Sequence, residues 1–347
     1  MKKTFKLLGI ICVIIIFTFS FMACNKKQTL QVFNWGENID EDLIKEFEDK
    51  YDIKITYSTY DTNEDMYLSV KSGKTNYDVV VPSDYMVQKM VRENLLEEIN
   101  FNNIPNFKEI DESFLGRPFD PENKYSVPYM SGTIGILYNK DIIKEPVDSW
   151  NILWNEKYKK QMFILDAQRD AIGMALKRLG YSLNTTNEEE LKKAKEELIK
   201  QKPLVLAYVQ DEVKDRMIAG DGALAVIWSG EGLNLQDEHP NLQYVVPKEG
   251  ANFWVDSLSI PKGAKNKKEA ELFINFMCEK DSALRNASLV GYTTPHKEAQ
   301  KSQPESIRNN RNAYLPKEIL DKCENYEDLG DKLKLYDEVW TEVKVNN

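Results

Sequence analysis

Tyr77-Asp78-Val79-Val80-Val81-Pro82-Ser83 decides the fold class of this chain. Three β-branched residues in a row suit a strand buried on both faces, as in a parallel sheet, and Pro82-Ser83 ends it. Working back from it, Leu30–Trp35 and Ile53–Tyr57 read as strands. Between them Asp40 can cap a helix carrying Leu43, Ile44, Phe47 and Tyr51 at helical spacing, and Glu64–Lys71 forms a second helix. This β-α-β-α-β rhythm is that of an α/β layered fold.

Forward from Ser83, a second α/β stretch runs from about Thr133 to Val255. It holds strands at Phe163–Leu165, Val205–Tyr208 and Ala223–Trp228 and a charged helix at Glu188–Lys200. Leu258–Ile260 and the helix Lys268–Met277 follow, with Cys278 as a small buried hydrophobe. The last helix is expected to bury Leu329, Leu333, Tyr336, Trp340 and Val343 on one stripe. No long Gly/Ser linker separates the parts, so any joint between lobes is a short crossing inside strands.

The amino end carries an address. Lys2, Lys3 and Lys6 precede an apolar run of 17 residues from Leu7 to Ala23, which is short for a bilayer span of about 20. Residues 1–23 read as a secretory signal. Phe21-Met22-Ala23-Cys24 resembles a bacterial lipobox, in which Cys24 takes the lipid and becomes the mature terminus; an uncleaved anchor is the alternative. Either way the body of the protein works outside the cytoplasm, beside a membrane.

The 347 residues contain 46 Lys and Arg against 56 Asp and Glu, a net charge of −10. Loss of the three signal lysines deepens it to −13. Duplex binding needs a basic face, so nucleic acid is not the partner. Two histidines, His239 and His296, exclude a multi-His metal site. Ser72-Gly73-Lys74-Thr75 lacks the earlier glycine of a phosphate loop, since Leu68 stands there. Gly220-Asp221-Gly222 opens a strand, the reverse of a dinucleotide fingerprint.

Aromatic residues and acids instead recur together near strand ends. The places are Trp35-Gly36-Glu37, Ser83-Asp84-Tyr85, Trp228-Ser229-Gly230-Glu231 and Phe253-Trp254-Val255-Asp256-Ser257, with a polar turn at Gly291-Tyr292-Thr293-Thr294. Ligands of open α/β sheets bind beyond the carboxyl ends of strands. Rings with interspersed carboxylates and no Arg or Lys complement an extended organic cation. Amines with a pKa of about 10.4 stay charged at neutral pH, ring faces attract them, and methylenes gain about 0.8 kcal/mol per CH₂ on the same rings. Singly, each Trp is better explained as partial core, and Asp84 is expected in solvent at a loop tip; the case comes from their joint occurrence.

These residues resemble the spermidine/putrescine-binding proteins, substrate receptors of polyamine ABC importers. The resemblance runs through Val32-Phe33-Asn34-Trp35, Ile55-Thr56-Tyr57-Ser58-Thr59-Tyr60, Tyr77–Ser83, Lys177-Arg178-Leu179-Gly180-Tyr181-Ser182 and Phe253–Leu258. It implies a two-lobed α/β type II periplasmic binding protein fold with the ligand in the interlobe cleft. Residues 28–132 plus 256–300 would form one lobe and 133–255 plus 301–347 the other. By position Trp35, Tyr85, Trp228, Trp254 and Tyr292 would box the ligand. Asp256 would bind one ammonium, with Glu37 and Ser83 near the other pole. A family acidic pair falls on Asp170 and, one residue out of register, on Asp166; Asp166 as a plain helix cap is the alternative. A family Gln falls on Tyr326 and a family Tyr on Asn38. These departures leave the choice between spermidine and putrescine open.

The function implied is a monomeric, lipid-anchored receptor without cofactor or covalent chemistry. It hands a polyamine to a membrane permease driven by a cytoplasmic ATPase. Its rivals are a binding protein for another cation, thiamine-like or ferric, and an extracellular carboxylate-dependent glycoside hydrolase.

Overall fold

The computed structural model describes residues 28–346 other than 37 and 211. The signal segment, Cys24 and Glu37 therefore lie outside the described residues. Nine strands form one continuous sheet: β1 (Thr29–Trp35), β2 (Lys54–Tyr60), β3 (Val79–Val80), β4 (Ser126–Asn139), β5 (Met162–Leu165), β6 (Val205–Val209), β7 (Leu224–Trp228), β8 (Leu242–Val245) and β9 (Phe253–Ser259). Their order is β2-β1-β3-β9-β4-β7-β5-β6, with β8 added on β4.

The amino-terminal rhythm folds as expected. Asp40 caps α1 (Glu41–Tyr51) by accepting from the Asp42 N–H, and α2 (Asn63–Ser72) follows β2. Phe47 of α1 meets Phe273 and Phe276 of α8 (Lys267–Met277) at 5.2 and 5.6 Å between ring centres. The Val79-Val80-Val81 run is fully buried, although only Val79 and Val80 pair as strand. The segment after it is not a loop. Ser83 opens α3 (Asp84–Arg92), and the helices α4 (Gln168–Arg178), α5 (Glu188–Gln201), α6 (Val213–Ile218) and α7 (Ser229–Glu238) lie between β5 and β8.

Strand β4 is the feature sequence patterning overlooks. Its 14 residues are almost all buried, so no alternation marks it. It pairs antiparallel with β9 from Ser126 to Thr133, then with β7 from Ile134 and β8 from Ile136. One strand thus joins two sheet regions, and its partner changes between Thr133 and Ile134.

β9 starts earlier than the expected Leu258. It runs antiparallel to β3, so its first residues lie at the edge where β1 and β3 end. Trp254 and Asp256 therefore reach the carboxyl edge of the parallel strands from inside a strand. In the last helix, α9 (Leu333–Val345), the buried residues are Tyr336, Val339 and Val343. α9 packs over α4 and α5, while Leu333 is 40% exposed and Leu329 precedes the helix. Among the described residues no helix is long and apolar enough to cross a membrane.

Candidate functional site

The first acid stands where α3 meets β9. Ser83 Oγ donates to Asp256 Oδ1 at 2.7 Å, so Ser83 stands beside Asp256 and not at the opposite pole expected for it, because β9 runs antiparallel past the end of β3. The Ser257 N–H donates to the Pro82 carbonyl at 3.0 Å, locking the two segments side by side. Asp256 is 8% exposed, and burial pushes its carboxyl up to about 7. The Ser83 hydroxyl opposes that rise, and the like charge of Asp84 adds to it. Asp84 is not in solvent as its sequence position implied. It is 1% exposed, accepts from the Tyr85 N–H at 2.8 Å and from Asn325 Nδ2 at 3.0 Å, and burial raises it to about 7.

Rings surround this acid. Trp35 Nε1 and the Tyr60 hydroxyl both donate to the Val81 carbonyl, at 2.9 and 2.6 Å, with the two rings 4.7 Å apart. Tyr85 lies in the first turn of α3; its hydroxyl accepts from Asn63 Nδ2 at 3.0 Å and donates to Glu64 at 3.2 Å. Trp254 and Tyr292 meet edge to face at 4.7 Å and 88°. Each of these two rings rests on a glycine. A Cβ on Gly132 would stand 2.4 Å from the Trp254 indole, and one on Gly230 2.4 Å from the Tyr292 ring. The Tyr292 turn is tied to β4 through Ser131 and Thr293, whose hydroxyls are 2.8 Å apart.

A second acid, Asp170, lies in the first turn of α4 and is 8% exposed. The Tyr326 hydroxyl donates to it at 2.8 Å. Burial lifts the carboxyl to about 6, opposed first by Tyr326, then by the Arg169 charge and by hydrogen bonds from the Asn252 and Trp228 side chains. The Arg169 guanidinium stacks on the Tyr326 ring at 4.3 Å. Asp166 behaves differently. Its carboxylate pairs with Lys344 at 2.9 Å on the surface, and Ala167, not Asp166, is the residue before α4, so the cap alternative is not realised either.

Of the residues expected in the site, Trp35, Ser83, Tyr85, Trp254, Asp256 and Tyr292 gather around β3, β9 and the turn beside β4. Asp170, Tyr326 and Trp228 form a second group across β4. Sequence reasoning missed Tyr60, Asn63, Asn252 and Asn325. No local signal marks them, because each acts on a partner far along the chain. Asn252 is the most notable, buried with its Oδ1 unpartnered beside Asp170. Among the described residues no group of three or more His, Cys, Asp and Glu side chains is placed to hold a metal ion. The arrangement offers ring faces and two buried acids balanced near neutrality, a setting that gains when a cation is brought to it.

A family model described as bacterial extracellular solute-binding protein matches residues 42–312. The chain is 38% identical over 318 residues to the spermidine/putrescine-binding periplasmic protein of Salmonella typhimurium, with 91% of each chain covered. It superposes on the spermidine/putrescine ABC transporter substrate-binding protein of Streptococcus pneumoniae with a TM-score of 0.87 at 38% identity, covering 92% of this chain and 99% of that one. A lipoprotein of Treponema pallidum gives 0.82 at 31% identity, over 91% and 99%. The fold is the two-lobed α/β type II periplasmic binding protein fold, and relatives of this kind are transport receptors, not enzymes. With the family model matched over most of the length and such relatives at 31% to 38% identity, the chain belongs to the bacterial extracellular solute-binding protein family, alongside the spermidine/putrescine-binding proteins.

Proposed function

We propose that this chain is an extracytoplasmic polyamine-binding lipoprotein. It captures spermidine or putrescine between two lobes, closes on it, and delivers it to an ABC permease with its cytoplasmic ATPase. The observation that carries the reading is the Ser83–Asp256 pair beside the Trp254–Tyr292 rings. A buried carboxylate oriented by a hydroxyl, with ring faces around it, complements an ammonium on a methylene chain. Trp35, Tyr85 and Trp228 complete the box, Asp170 with Tyr326 serves a second ammonium, and Glu37 is assigned to the pole away from Asp256 by its sequence position alone. Asp166, held by Lys344, lies outside this set.

The lobes in this reading are residues 28–132 plus 256–300 and residues 133–255 plus 301–347, hinged where β4 changes partners. Closure by hinge bending fits a strand shared by both halves. Anchoring through Cys24 rests on the lipobox-like Phe21–Cys24 and on a relative described as a lipoprotein. The receptor works as a monomer.

Isothermal titration of protein lacking residues 1–24 with spermidine, putrescine and a neutral sugar tests the reading. Heat is expected with an amine and none with the sugar. Absence of heat with both amines would reject it.

A further inference from the structure

Resting on the polyamine reading above, we propose that Asn252 sets a specificity of the site: its side-chain carbonyl and Asp170 together hold an unsubstituted terminal ammonium. Asn252 stands just before β9 and is 5% exposed. Its backbone is clamped on both sides. The Ile134 N–H donates to the Asn252 carbonyl at 3.3 Å. On the other side Asn252 pairs with Glu324, whose N–H donates to the Ala251 carbonyl at 3.1 Å and whose carbonyl accepts from the Phe253 N–H at 2.9 Å. Tyr326, which donates to Asp170, follows Glu324 by two residues. One short ladder therefore delivers two side chains to one acid.

Chemistry fixes which way round the Asn252 amide lies. Its side chain bonds to the Asp170 carboxylate, and only its nitrogen can donate there. The oxygen, Oδ1, is buried and has no hydrogen-bond partner among the described residues. Turning the amide over gives no relief, because it would set oxygen against carboxylate and strand the nitrogen instead. A buried carbonyl oxygen is a cost until a donor reaches it. Tyr326 and Trp228 cannot supply that donor, since each side chain has one N–H or O–H and gives it to Asp170. A primary ammonium can. It carries three N–H donors, enough for Asp170 and Asn252 Oδ1 at once, and its charge strengthens both bonds. A tertiary ammonium keeps the charge but has a single N–H. Asp170 takes it, and the Asn252 oxygen stays unpaired.

The test is isothermal titration of the purified protein with putrescine and with its N,N,N′,N′-tetramethyl derivative, the latter also by displacement of putrescine. Wild type is expected to prefer putrescine. Asn252→Leu removes the carbonyl without opening a hole, and should weaken putrescine about tenfold more than the tetramethyl compound. Asn252→Ala, which crowds nothing, is expected to lose putrescine affinity to the same degree, and a melt without amine checks that both variants fold. Tyr326→Phe takes a donor from Asp170 but leaves the Asn252 carbonyl in place. It should therefore weaken both compounds by one common factor. Putrescine affinity within about twofold of wild type in both Asn252 variants, or equal weakening of the two compounds, would overturn the role of Asn252 and leave the polyamine reading standing. Wild-type protein that binds neither putrescine nor spermidine would overturn both.

Discussion

Ser83 Oγ and Asp256 Oδ1, 173 positions apart in the chain, are joined by a 2.7 Å hydrogen bond. The bond forms because β9 runs antiparallel beside β3, which brings Asp256 level with the residue that follows Pro82. A hydroxyl aimed at a carboxylate orients its lone pairs and favours its charged form. What the protein gains is a buried acid poised between its two forms near neutral pH, which a nearby cation would tip to the charged one.

Asp256→Asn keeps the shape and removes the charge. Polyamine affinity is expected to fall by about tenfold or more, which corresponds to at least about 1.4 kcal/mol. The ligand-free protein should melt no lower than wild type, since a buried uncompensated carboxylate is a cost to the fold. Titration calorimetry and a thermal melt on the same sample check both halves. An unchanged affinity would remove Asp256 from the site.

The raised carboxyls imply a pH dependence with a definite sign. Asp84 and Asp256 sit near 7 and Asp170 near 6 in the folded chain, above their ordinary value of 3.8. Between about pH 4 and 7 the folded state thus binds more protons at these groups than the unfolded state does, so their contribution to stability falls as pH rises through that window. Ligand affinity runs the other way. A cation needs the ionised acids, so binding should weaken as pH drops from 8 to about 5.5 and release protons at pH 6.5. Titrations in buffers of different ionisation heat read the proton count directly; zero protons released at pH 6.5 would contradict the assignment.

Gly230→Ala separates affinity from stability. The new Cβ would stand 2.4 Å from Tyr292, so the ring must leave its place. Gly230 is the second residue of α7, so the same change gains less than the roughly 0.8–1 kcal/mol of a helix interior and offsets part of the local crowding. The expected result is a loss of polyamine affinity of about tenfold with a melting temperature close to wild type. A variant that binds normally would show that Tyr292 does not touch the ligand.

Asn325 ties the carboxy-terminal segment to the first half of the chain. It donates to Asp84 Oδ2 at 3.0 Å and to the Phe253 carbonyl, and accepts from Arg117. Nearby, Asp328 forms an ion pair with Arg92 and its N–H donates to Gln88 Oε1 at 2.7 Å. Asn325→Ala leaves the buried Asp84 without that donor and should cost roughly 2–4 kcal/mol. Chemical denaturation measures it. Because Asp84 loses the partner that favours its charged form, the deficit should shrink as pH falls from 8 to about 5.5; a deficit independent of pH would point to packing alone.

Much of the fold was legible because its signals are local. The Asp40 cap, the helical spacing of Leu43 and Phe47, and the Val79-Val80-Val81 run each act within a few residues. β4 escaped because a strand buried on every side shows no alternation. In the last helix Leu333 fits the apolar spacing yet faces outward, since spacing names a stripe but not the width of the surface that covers it.

The chain by itself determined an α/β layered architecture and a stock of rings and acids near strand ends, whose pattern the sequence alone reads as suited to an organic cation. Tertiary structure alone decided which acids are buried and what holds them. Asp84 and Asp166 look alike as acids beside strand ends, yet one is sealed under Asn325, 241 positions away, and the other pairs with Lys344 in solvent. Asp170 likewise takes its character from Tyr326, 156 positions on. The reason is electrostatic. A carboxylate's charge and pKa depend on the water it loses and the donors it gains, and both come from residues that only the folded sheet brings near.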